Sequence, residues 1–238
     1  MFGVWVPSSD DNSVDEDANL MTISQAVVLY VVGTVAQGAP REGVSMGMRG
    51  VEERPAGLLY RIGLVASVEE SDLLGRLPAL ETEPVVMHGV ASRRQIRHFG
   101  VGYDFDSWDT VPTEPIPDYL LELRARAGHV AEVQPSTFVE ALVTWYPPGA
   151  RIGWHRDASA FGPVVVGLSL GSDSVMRFQR RAAGGERRVF EQRLARRSAY
   201  VLAGAARSAW QHSVPPVKQE RWSVTFRQLR GCSRHKWD

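Results

Sequence analysis

The feature that most constrains this chain is a series of short apolar runs, separated by turn residues, that fills its second half. From Thr137 onward there are eight such runs: FVEALVTWY, RIGWH, VVVGLSL, SVMRFQ, RRVFEQRL, SAYVLA, AWQHSV and RWSVTFRQL. Runs of this length and rhythm are typical of short strands in an antiparallel sandwich or barrel. The pattern therefore predicts a β-sandwich or jelly roll, whose open mouth can hold a ligand.

Two helices are predicted ahead of these strands. The segment SVEESDLLGRLPAL begins at Ser67, has acids in its first turn and repeats Leu at helical spacing. We therefore expect an amphipathic helix that Ser67 caps at its start. A second helix is expected from Asp118 to Gly128. The predicted fold class is α+β, mainly β, with flanking N-terminal helices.

The N-terminal part of the chain differs from the rest. Residues 1–40 contain no Lys or Arg, and the first part of this stretch is acidic without apolar periodicity, which favours a mobile tail. The apolar run 26–32 is too short to cross a bilayer, so we expect a strand or a packed arm there. Residues 38–54 have the composition of a linker. We expect three regions: an acidic extension at 1–56, a folded domain at 57–230 and a tail at 231–238.

Composition bears on the cellular compartment and on the charge of possible partners. The single cysteine, Cys232, cannot form an internal disulfide, so we expect a reducing, cytoplasmic compartment. No segment predicts a membrane span. The formal net charge is zero, yet nine arginines lie between Arg177 and Arg207, where Glu186 and Glu191 are the acids. This arginine-rich segment leaves two interpretations open, a phosphate-binding surface and an ordinary solvated face.

A metal site is predicted by the spacing of two histidines and an aspartate. His155 and Asp157 are two residues apart, so on a strand both side chains point to one face and can bind one ion. Downstream, His212 lies in a strand-like run, whereas His235 lies in the charged tail, so we expect His212 to be the third ligand. Two imidazoles and one carboxylate, with coordination positions left open, suit an Fe(II) oxygenase.

The last apolar run, RWSVTFRQL, carries polar groups at alternate positions. Arg221, Ser223 and Thr225 would share one face of a strand, and Arg227 follows with the same period. A guanidinium can grip a carboxylate through two hydrogen bonds, and the co-substrate 2-oxoglutarate offers a distal carboxylate. The alternative is a surface strand edged with arginines.

Three segments together, TWYPPGARIGWHRDA, AWQHSV and RWSVTFRQL, resemble the motifs of the AlkB-like Fe(II)/2-oxoglutarate dioxygenases. The resemblance spans about residues 57 to 230 and includes the opening segment GLLYRIGLVASVEESDLLGRL. It implies a double-stranded β-helix, the jelly-roll core of that family. It also implies Fe(II) bound by His155, Asp157 and His212, with 2-oxoglutarate and dioxygen consumed in turnover.

The same resemblance assigns the co-substrate contacts. Tyr146 would hydrogen-bond 2-oxoglutarate, Arg221 would pair with its distal carboxylate, and Arg227 would lie near its metal-binding carboxylate. Thr144 and Ser223 stand where many members of the family have Asn. Thr144 can still donate a hydrogen bond but reaches less far than Asn. The expected co-substrate contacts are Thr144, Tyr146, Arg221, Ser223, Thr225 and Arg227.

Members of this family hydroxylate N-methyl groups on nucleic-acid bases, which then release formaldehyde. A base inside a duplex cannot reach a buried metal, so the implied partner is single-stranded or flipped-out alkylated nucleic acid. The segment 92–105 combines arginines with aromatic residues and lies where the family places a substrate-covering loop. The expected substrate contacts, which include stacking aromatics, are Arg97, His98, Phe99, Tyr103 and Trp154.

Other functions remain open at this point. Ser159 stands where base-repairing members often have a second acid, and it is a further candidate substrate contact. The neutral net charge and Ser159 also allow the alternative of a protein or small-molecule hydroxylase. A non-catalytic jelly roll that uses the same residues for structure, or for another metal such as Zn, is the alternative of a different class. We expect a monomer.

Overall fold

The computed structural model describes residues 50–87, 89–104 and 109–231. The predicted acidic tail, the apolar run 26–32 and Phe105 lie outside these ranges, as does Cys232. Paired backbone begins at Val51, ahead of the predicted domain start at residue 57, because Val51 and Glu52 form a short parallel bridge to residues 188 and 189. Within the described ranges, no helix combines the length and the hydropathy that crossing a membrane requires.

The first half of the described chain contains six strands, two α-helices and one short 3-10 helix, Leu77–Ala79. The two predicted helices are present, and the second one extends three residues beyond its predicted end, to Ala131. In chain order the elements are β1 (Val51–Glu52), β2 (Leu58–Arg61), α1 (Ser67–Arg76), β3 (Glu83–Met87), β4 (Val90–Phe99), β5 (Val101–Asp104), β6 (Asp109–Pro112) and α2 (Asp118–Ala131).

All eight strands predicted in the second half are present, which confirms the strand pattern. A short helix, α3 (Gly204–Ser208), interrupts them once. The strands are β7 (Phe138–Tyr146), β8 (Ile152–His155), β9 (Phe161–Leu170), β10 (Ser174–Arg181), β11 (Arg187–Leu194), β12 (Ser198–Leu202), β13 (Gln211–Val214) and β14 (Arg221–Leu229).

These strands form two facing sheets. The large sheet has the order β2-β12-β9-β14-β7-β4-β3, and the small sheet has the order β1-β11-β10-β13-β8. Strands β7, β9, β12 and β14 belong to the large sheet, while β8, β10, β11 and β13 belong to the small one. The chain therefore passes repeatedly between the two sheets, and the predicted double-stranded β-helix is confirmed.

Helices α1 and α2 cover the outer face of the large sheet, because their apolar faces need a partner surface. Leu73 of α1 and Leu120 and Leu123 of α2 are buried in one cluster with Val143, Leu168 and other outward residues of the sheet. On β14, Trp222, Val224 and Phe226 belong to this cluster. Since side chains alternate along a strand, residues 221, 223, 225 and 227 point to the space between the two sheets.

The predicted capping role of Ser67 is wrong by one residue. Ala66 occupies the N-cap position in extended conformation, and Ser67 is the first helical residue. The backbone N–H of Ala66 donates to the Glu69 carboxylate at 3.4 Å. An acid three residues after the cap can satisfy a free backbone donor in this way, so the helix starts without a hydroxyl cap.

The prediction of a substrate-covering loop at 92–105 is also wrong. Most of this segment is β4 and β5, and β4 pairs with β7 along residues 95–99, so it extends the large sheet. Gly100 separates the two strands with a φ of +80°, and a Cβ there would lie 2.1 Å from the Val139 carbonyl oxygen. Only glycine fits that turn. The segment is therefore a wall of the cavity and not a loop above it.

Candidate metal and co-substrate site

The three predicted metal ligands converge between β8 and β13. His155 at the end of β8 lies directly opposite His212 on β13, and their ring centroids are 4.3 Å apart. Asp157 follows two residues after the end of β8, with Oδ2 at 3.7 Å from His212 Nε2. One ligand atom from each of the three residues lies within 4.8 Å of the others. This spacing allows all three to contact one ion.

The loop that carries Asp157 is held by an arginine from α3. The guanidinium of Arg207 donates to the backbone carbonyls of Asp157 at 3.2 Å, Ala158 at 3.0 Å and Phe161 at 3.2 Å. Burial lowers the pKa of Arg207, and the nearby Asp157 charge opposes that effect. Arg207 therefore fixes the backbone on the C-terminal side of the ligand, a role that the sequence pattern did not predict.

Hydrogen bonding around the cluster fits a bound metal ion. The Nδ1–H of His155 donates to the Gly153 carbonyl at 2.9 Å, which leaves Nε2 with a lone pair. His212 Nδ1 and Asp157 Oδ2 are buried and have no hydrogen-bond partner among the described residues. Buried polar atoms are nearly always satisfied. Two nitrogen ligands and one carboxylate are the donor set that suits Fe(II) with open positions.

The charge states of these groups also suit metal binding. Burial, followed by the neighbouring His155, lowers the pKa of His212 to about 3, so its imidazole is neutral at pH 7. Burial likewise lowers the pKa of His155. Burial disfavours the charged form of Asp157, but Arg227 and then His212 outweigh this effect and hold its pKa well below the usual range. Neutral imidazoles and an ionised carboxylate are the forms that bind metals.

Arg221 lies on the floor of the same cavity and has no acidic partner among the residues that the structure describes. Its side chain is almost fully buried, with 2% of the residue exposed. Nε donates to Ser169 Oγ at 3.0 Å, and the guanidinium lies 4.9 Å from the centre of the Tyr146 ring. A buried unpaired charge is costly. A carboxylate bound in this cavity would complement the charge of Arg221.

The other predicted co-substrate residues surround Arg221. Thr144 and Tyr146 on β7 lie beside Ser223 and Arg221 on β14, and Thr225 follows on the same face. Tyr200 on β12 completes the wall, and burial raises its pKa to about 12, so its hydroxyl stays protonated. The six residues predicted to contact the co-substrate all line one cavity: Thr144, Tyr146, Arg221, Ser223, Thr225 and Arg227.

Arg227 connects the metal cluster to a buried acid that sequence reasoning missed. Arg227 lies 3.4 Å from Asp157 Oδ1 and 3.2 Å from Glu140 Oε2. Glu140 is completely buried, and its Oε1 accepts a hydrogen bond from His98 Nδ1 at 2.7 Å. The available signal was a single acid at an inward position of the apolar run FVEALVTWY. Glu140 thus orients two residues of the cavity.

The structure separates the predicted substrate contacts into two groups. His98 and Tyr103 line the cavity, and the Tyr103 ring lies 5.8 Å from that of Phe161. Arg97 lies on the opposite face of β4, pairs with Glu114 at 2.8 Å and covers the Phe99 ring. Phe99, Trp154 and Ser159 also lie outside the cavity lining. Phe99 is buried in the core beneath the helices, Trp154 is half-buried and Ser159 is exposed.

Two arginines that were not predicted also line the cavity, Arg94 and Arg156. Arg94 shares the inward face of β4 with Ile96 and His98, in the two-residue period of a strand. That period within SRRQIRHF is the signal that could have identified Arg94. Arg156 follows His155 directly and donates to the Ser208 carbonyl at 3.1 Å.

Comparison with known proteins identifies this arrangement. Residues 83–233 match the 2OG-Fe(II) oxygenase superfamily. The chain is 30% identical over 178 residues to the mouse (Mus musculus) tRNA (carboxymethyluridine(34)-5-O)-methyltransferase ALKBH8. This match covers 71% of this chain and 26% of that protein, so the chain spans about a quarter of the relative's length.

Two further similarities agree with this match. The chain is 25% identical over 130 residues to the zebrafish (Danio rerio) probable RNA/DNA demethylase ALKBH6, covering 55% of this chain and 53% of that protein. The solved structure of OsALKBH1 superposes with a TM-score of 0.58 at 17% identity, over 74% of this chain and 98% of that one, which bears on the fold alone. This chain belongs to the 2OG-Fe(II) oxygenase superfamily, as an AlkB-like, 2-oxoglutarate-dependent dioxygenase.

Proposed function

We propose that this chain oxidatively demethylates alkylated bases in single-stranded or flipped-out nucleic acid, as in the repair of alkylation damage. The observation that carries the proposal is the His155, Asp157 and His212 cluster beside the unpaired Arg221, in one cavity between two sheets. The names of two relatives refer to tRNA and to RNA/DNA demethylation. These names support nucleic acid as the substrate class.

In this proposal each group of residues has a separate task. His155, Asp157 and His212 would hold Fe(II), and Arg221 would orient 2-oxoglutarate through its distal carboxylate, with Thr144, Tyr146, Ser223 and Thr225 around it. When bound, iron and 2-oxoglutarate supply oxidation of a C–H bond by dioxygen, with succinate and carbon dioxide as co-products. Arg227 holds Asp157 in place from the side of Glu140.

The substrate would enter along the wall formed by β4 and β5. Ile96, His98 and Tyr103 face the cavity there, and Phe161 lies opposite Tyr103. Aromatic side chains can stack with an extruded base whatever its identity. His98 has Nε2 buried without a hydrogen-bond partner in the described residues, so it can contact a polar edge of the base. This wall would place the methyl group toward the metal cluster.

The setting of the enzyme is part of the same proposal. We infer that residues 57–230 act as one catalytic domain, that the protein works as a monomer, and that it resides in the cytoplasm, where a lone cysteine such as Cys232 stays reduced. Gel filtration with light scattering tests the oligomeric state. A dimer at micromolar concentration would contradict that part of the proposal.

Turnover with defined oligonucleotides tests the proposed function. Purified protein is supplied with Fe(II), 2-oxoglutarate and single-stranded DNA or RNA that carries methylated bases, and formaldehyde and succinate are measured. We expect equimolar formation of both products, absent with unmethylated oligonucleotide. His155→Ala and His212→Ala should abolish turnover, whereas Arg193→Ala, an exposed surface change, should leave it unaltered. Succinate formation with peptides or small molecules, and none with any oligonucleotide, would exclude the proposal.

A further inference from the structure

A second buried arginine in the cavity has no acidic partner among the described residues. Arg94 is 7% exposed, and its Nε is buried without a hydrogen bond. It lies on the inward face of β4, two residues before Ile96 and four before His98, both of which line the cavity. Burying a guanidinium without a counter-charge is unfavourable, so an anionic ligand in the cavity would be stabilised by Arg94.

The charges in the cavity do not balance without a further anion. Its lining includes four arginines and one carboxylate, Asp157, and the buried Glu140 behind Arg227 adds a second carboxylate. Four positive and two negative charges leave an excess of two. A ferrous ion and a 2-oxoglutarate dianion cancel each other, so both ligands together leave this excess unchanged. The four arginines are Arg94, Arg156, Arg221 and Arg227.

Local contacts show which of these arginines lacks a partner. Arg227 is balanced by Glu140 and Asp157, and Arg221 is assigned to the distal carboxylate of 2-oxoglutarate. Arg156 donates to the Ser208 carbonyl, so part of its guanidinium is satisfied. Arg94 forms no side-chain hydrogen bond or ion pair within the described part of the chain. It is therefore the cation that is most available to a ligand.

Arg94 and Arg221 lie on different strands of the cavity wall, on either side of β7. Gln95 is paired with Trp145 and Arg221 with Tyr146, so Arg94 and Arg221 lie level with one another on opposite sides of β7. Two strand spacings place their backbones about 10 Å apart. Arg94 belongs to the wall with Ile96 and His98, whereas Arg221 belongs to the wall with Ser223 and Thr225.

We infer that Arg94 forms a second oxyanion subsite, which binds a carboxylate or phosphate of the substrate next to the group that is oxidised. A guanidinium binds either oxyanion through two parallel hydrogen bonds. In nucleic acid, the oxyanion is either a backbone phosphate beside the target base or a carboxylate on the base itself, as in the carboxymethyluridine of the mouse relative's name. This inference rests on the proposed function for its substrate class.

Binding measurements on the loaded protein test the subsite without requiring turnover. The variants are Arg94→Met, which removes the charge and keeps the length, and Arg94→Lys, which keeps the charge and loses the paired geometry. The matched control is Arg97→Met on the opposite face of β4. With Mn(II) and 2-oxoglutarate bound under anaerobic conditions, calorimetry measures affinity for three probes: a methylated single-stranded trinucleotide, the corresponding methylated nucleoside, and 5-carboxymethyluridine.

We expect Arg94→Met to weaken binding of an oxyanion-bearing probe by about 10- to 100-fold, as for a lost charge-assisted hydrogen bond pair. Arg94→Lys should lose less, and Arg97→Met should not change the affinity. If the oxyanion is a phosphate, the trinucleotide is affected and neither nucleoside is. If it is a carboxylate, 5-carboxymethyluridine is affected and the methylated nucleoside is not.

Two results would overturn the subsite. One is unchanged affinity of Arg94→Met for every probe that the wild-type protein binds, or no binding of any probe by the wild type. The other is a loss of 2-oxoglutarate affinity as large as the loss for the probe, which would assign Arg94 to the co-substrate. Failure of the proposed function alone has a different result: the wild-type protein binds an oxyanion probe through Arg94 but forms no formaldehyde from methylated oligonucleotides.

Discussion

The arginines of the β10–β11 hairpin and the arginines of the cavity belong to the same residue type but have opposite surroundings. In the hairpin, most arginines pair with acids, whereas Arg94 and Arg221 in the cavity have no acidic partner in the described residues. The arginine-rich segment is therefore largely neutralised, and the unpaired positive charge lies inside. The hairpin pairs are Arg177–Glu191, Arg180–Glu53, Arg188–Glu186 and Arg193–Asp173.

The difference teaches that pairing, and not the number of arginines, indicates where an anion binds. Partly exposed ion pairs contribute about 0–1 kcal/mol each, so the hairpin arginines are neither costly nor free to attract phosphate. A buried unpaired charge costs several kcal/mol. Of the two interpretations left open by the sequence, the structure favours the solvated face for the hairpin. The anion-binding capacity lies instead in the cavity.

The largest expected effect is on stability and concerns Glu140, the buried acid beside Arg227. Glu140→Gln removes a completely buried charge that faces both Arg227 and His98. We expect the free energy of unfolding to fall by about 3–5 kcal/mol, because Arg227 would lose a buried counter-charge. Urea denaturation followed by tryptophan fluorescence measures this loss. The double variant Glu140→Gln, Arg227→Met should recover part of it, and a loss below about 1 kcal/mol would show that Glu140 behaves like a surface acid.

The next largest effect is weaker co-substrate binding in an Arg221 variant. Unlike Glu140→Gln, this variant should not lose stability. Arg221→Gln should weaken 2-oxoglutarate binding by about 30-fold or more, which corresponds to at least about 2 kcal/mol for a buried charge pair. The ligand-free protein should be as stable as the wild type or more stable, since an unpaired buried charge is removed. Anaerobic calorimetry with Mn(II) and thermal melting measure the two quantities. Arg193→Gln in the hairpin is the control, and equal 2-oxoglutarate affinity in both variants would contradict the distinction.

A smaller loss of stability is expected at Glu70, a buried acid whose arginine partner is half-exposed. Glu70 of α1 is completely buried, accepts the Gly171 N–H at 3.0 Å and pairs with the half-exposed Arg196 at 2.5 Å. Glu70→Gln keeps an oxygen acceptor and loses the charge, so we expect a loss of about 1–2 kcal/mol. Chemical denaturation measures it, beside Glu140→Gln under the same conditions. A loss as large as that of Glu140→Gln would remove the proposed difference between exposed and enclosed partners.

The smallest effect belongs to a pair on the hairpin surface. Glu53 pairs with Arg180 and Arg188, and all three side chains are about one-third exposed. Glu53→Gln should lower stability by at most about 1 kcal/mol, and less at high salt because screening weakens exposed pairs. Melting at low and high ionic strength checks both statements. Any change in 2-oxoglutarate affinity would mean that the hairpin and the cavity are coupled.

Much of the fold was predictable because apolar and polar residues alternate along the strands of this chain in step with their burial. Each of the eight runs after Thr137 became a strand, and the metal ligands followed from the two-residue spacing of His155 and Asp157. The inward face of β14 was predictable for the same reason, since Arg221, Ser223 and Thr225 occupy alternate positions. These features depend on local periodicity, which a single sequence contains.

The parts that were missed depend on partners far apart in the chain. Strand β4 looked like a loop because its inward face carries Arg94 and His98 in place of the apolar residues that usually mark a strand. The role of Glu140 was not predictable from local sequence, because its partners His98 and Arg227 lie far from it in the chain. The cap of α1 was misplaced because Glu69 does what a hydroxyl at the cap would do.

The candidate metal cluster lies at the rim of the small sheet, and this has a consequence for the lifetime of the protein. Strand β8 is four residues long and outermost in its sheet, and within the described chain its strand partner is β13. An ion bound by His155, Asp157 and His212 would stabilise the pairing of this edge strand with β13, since ligand binding favours the folded state by mass action. Without the ion, β8 would be held by its backbone pairing with β13, so we expect the metal-free protein to be cleaved more readily by proteases at this edge strand.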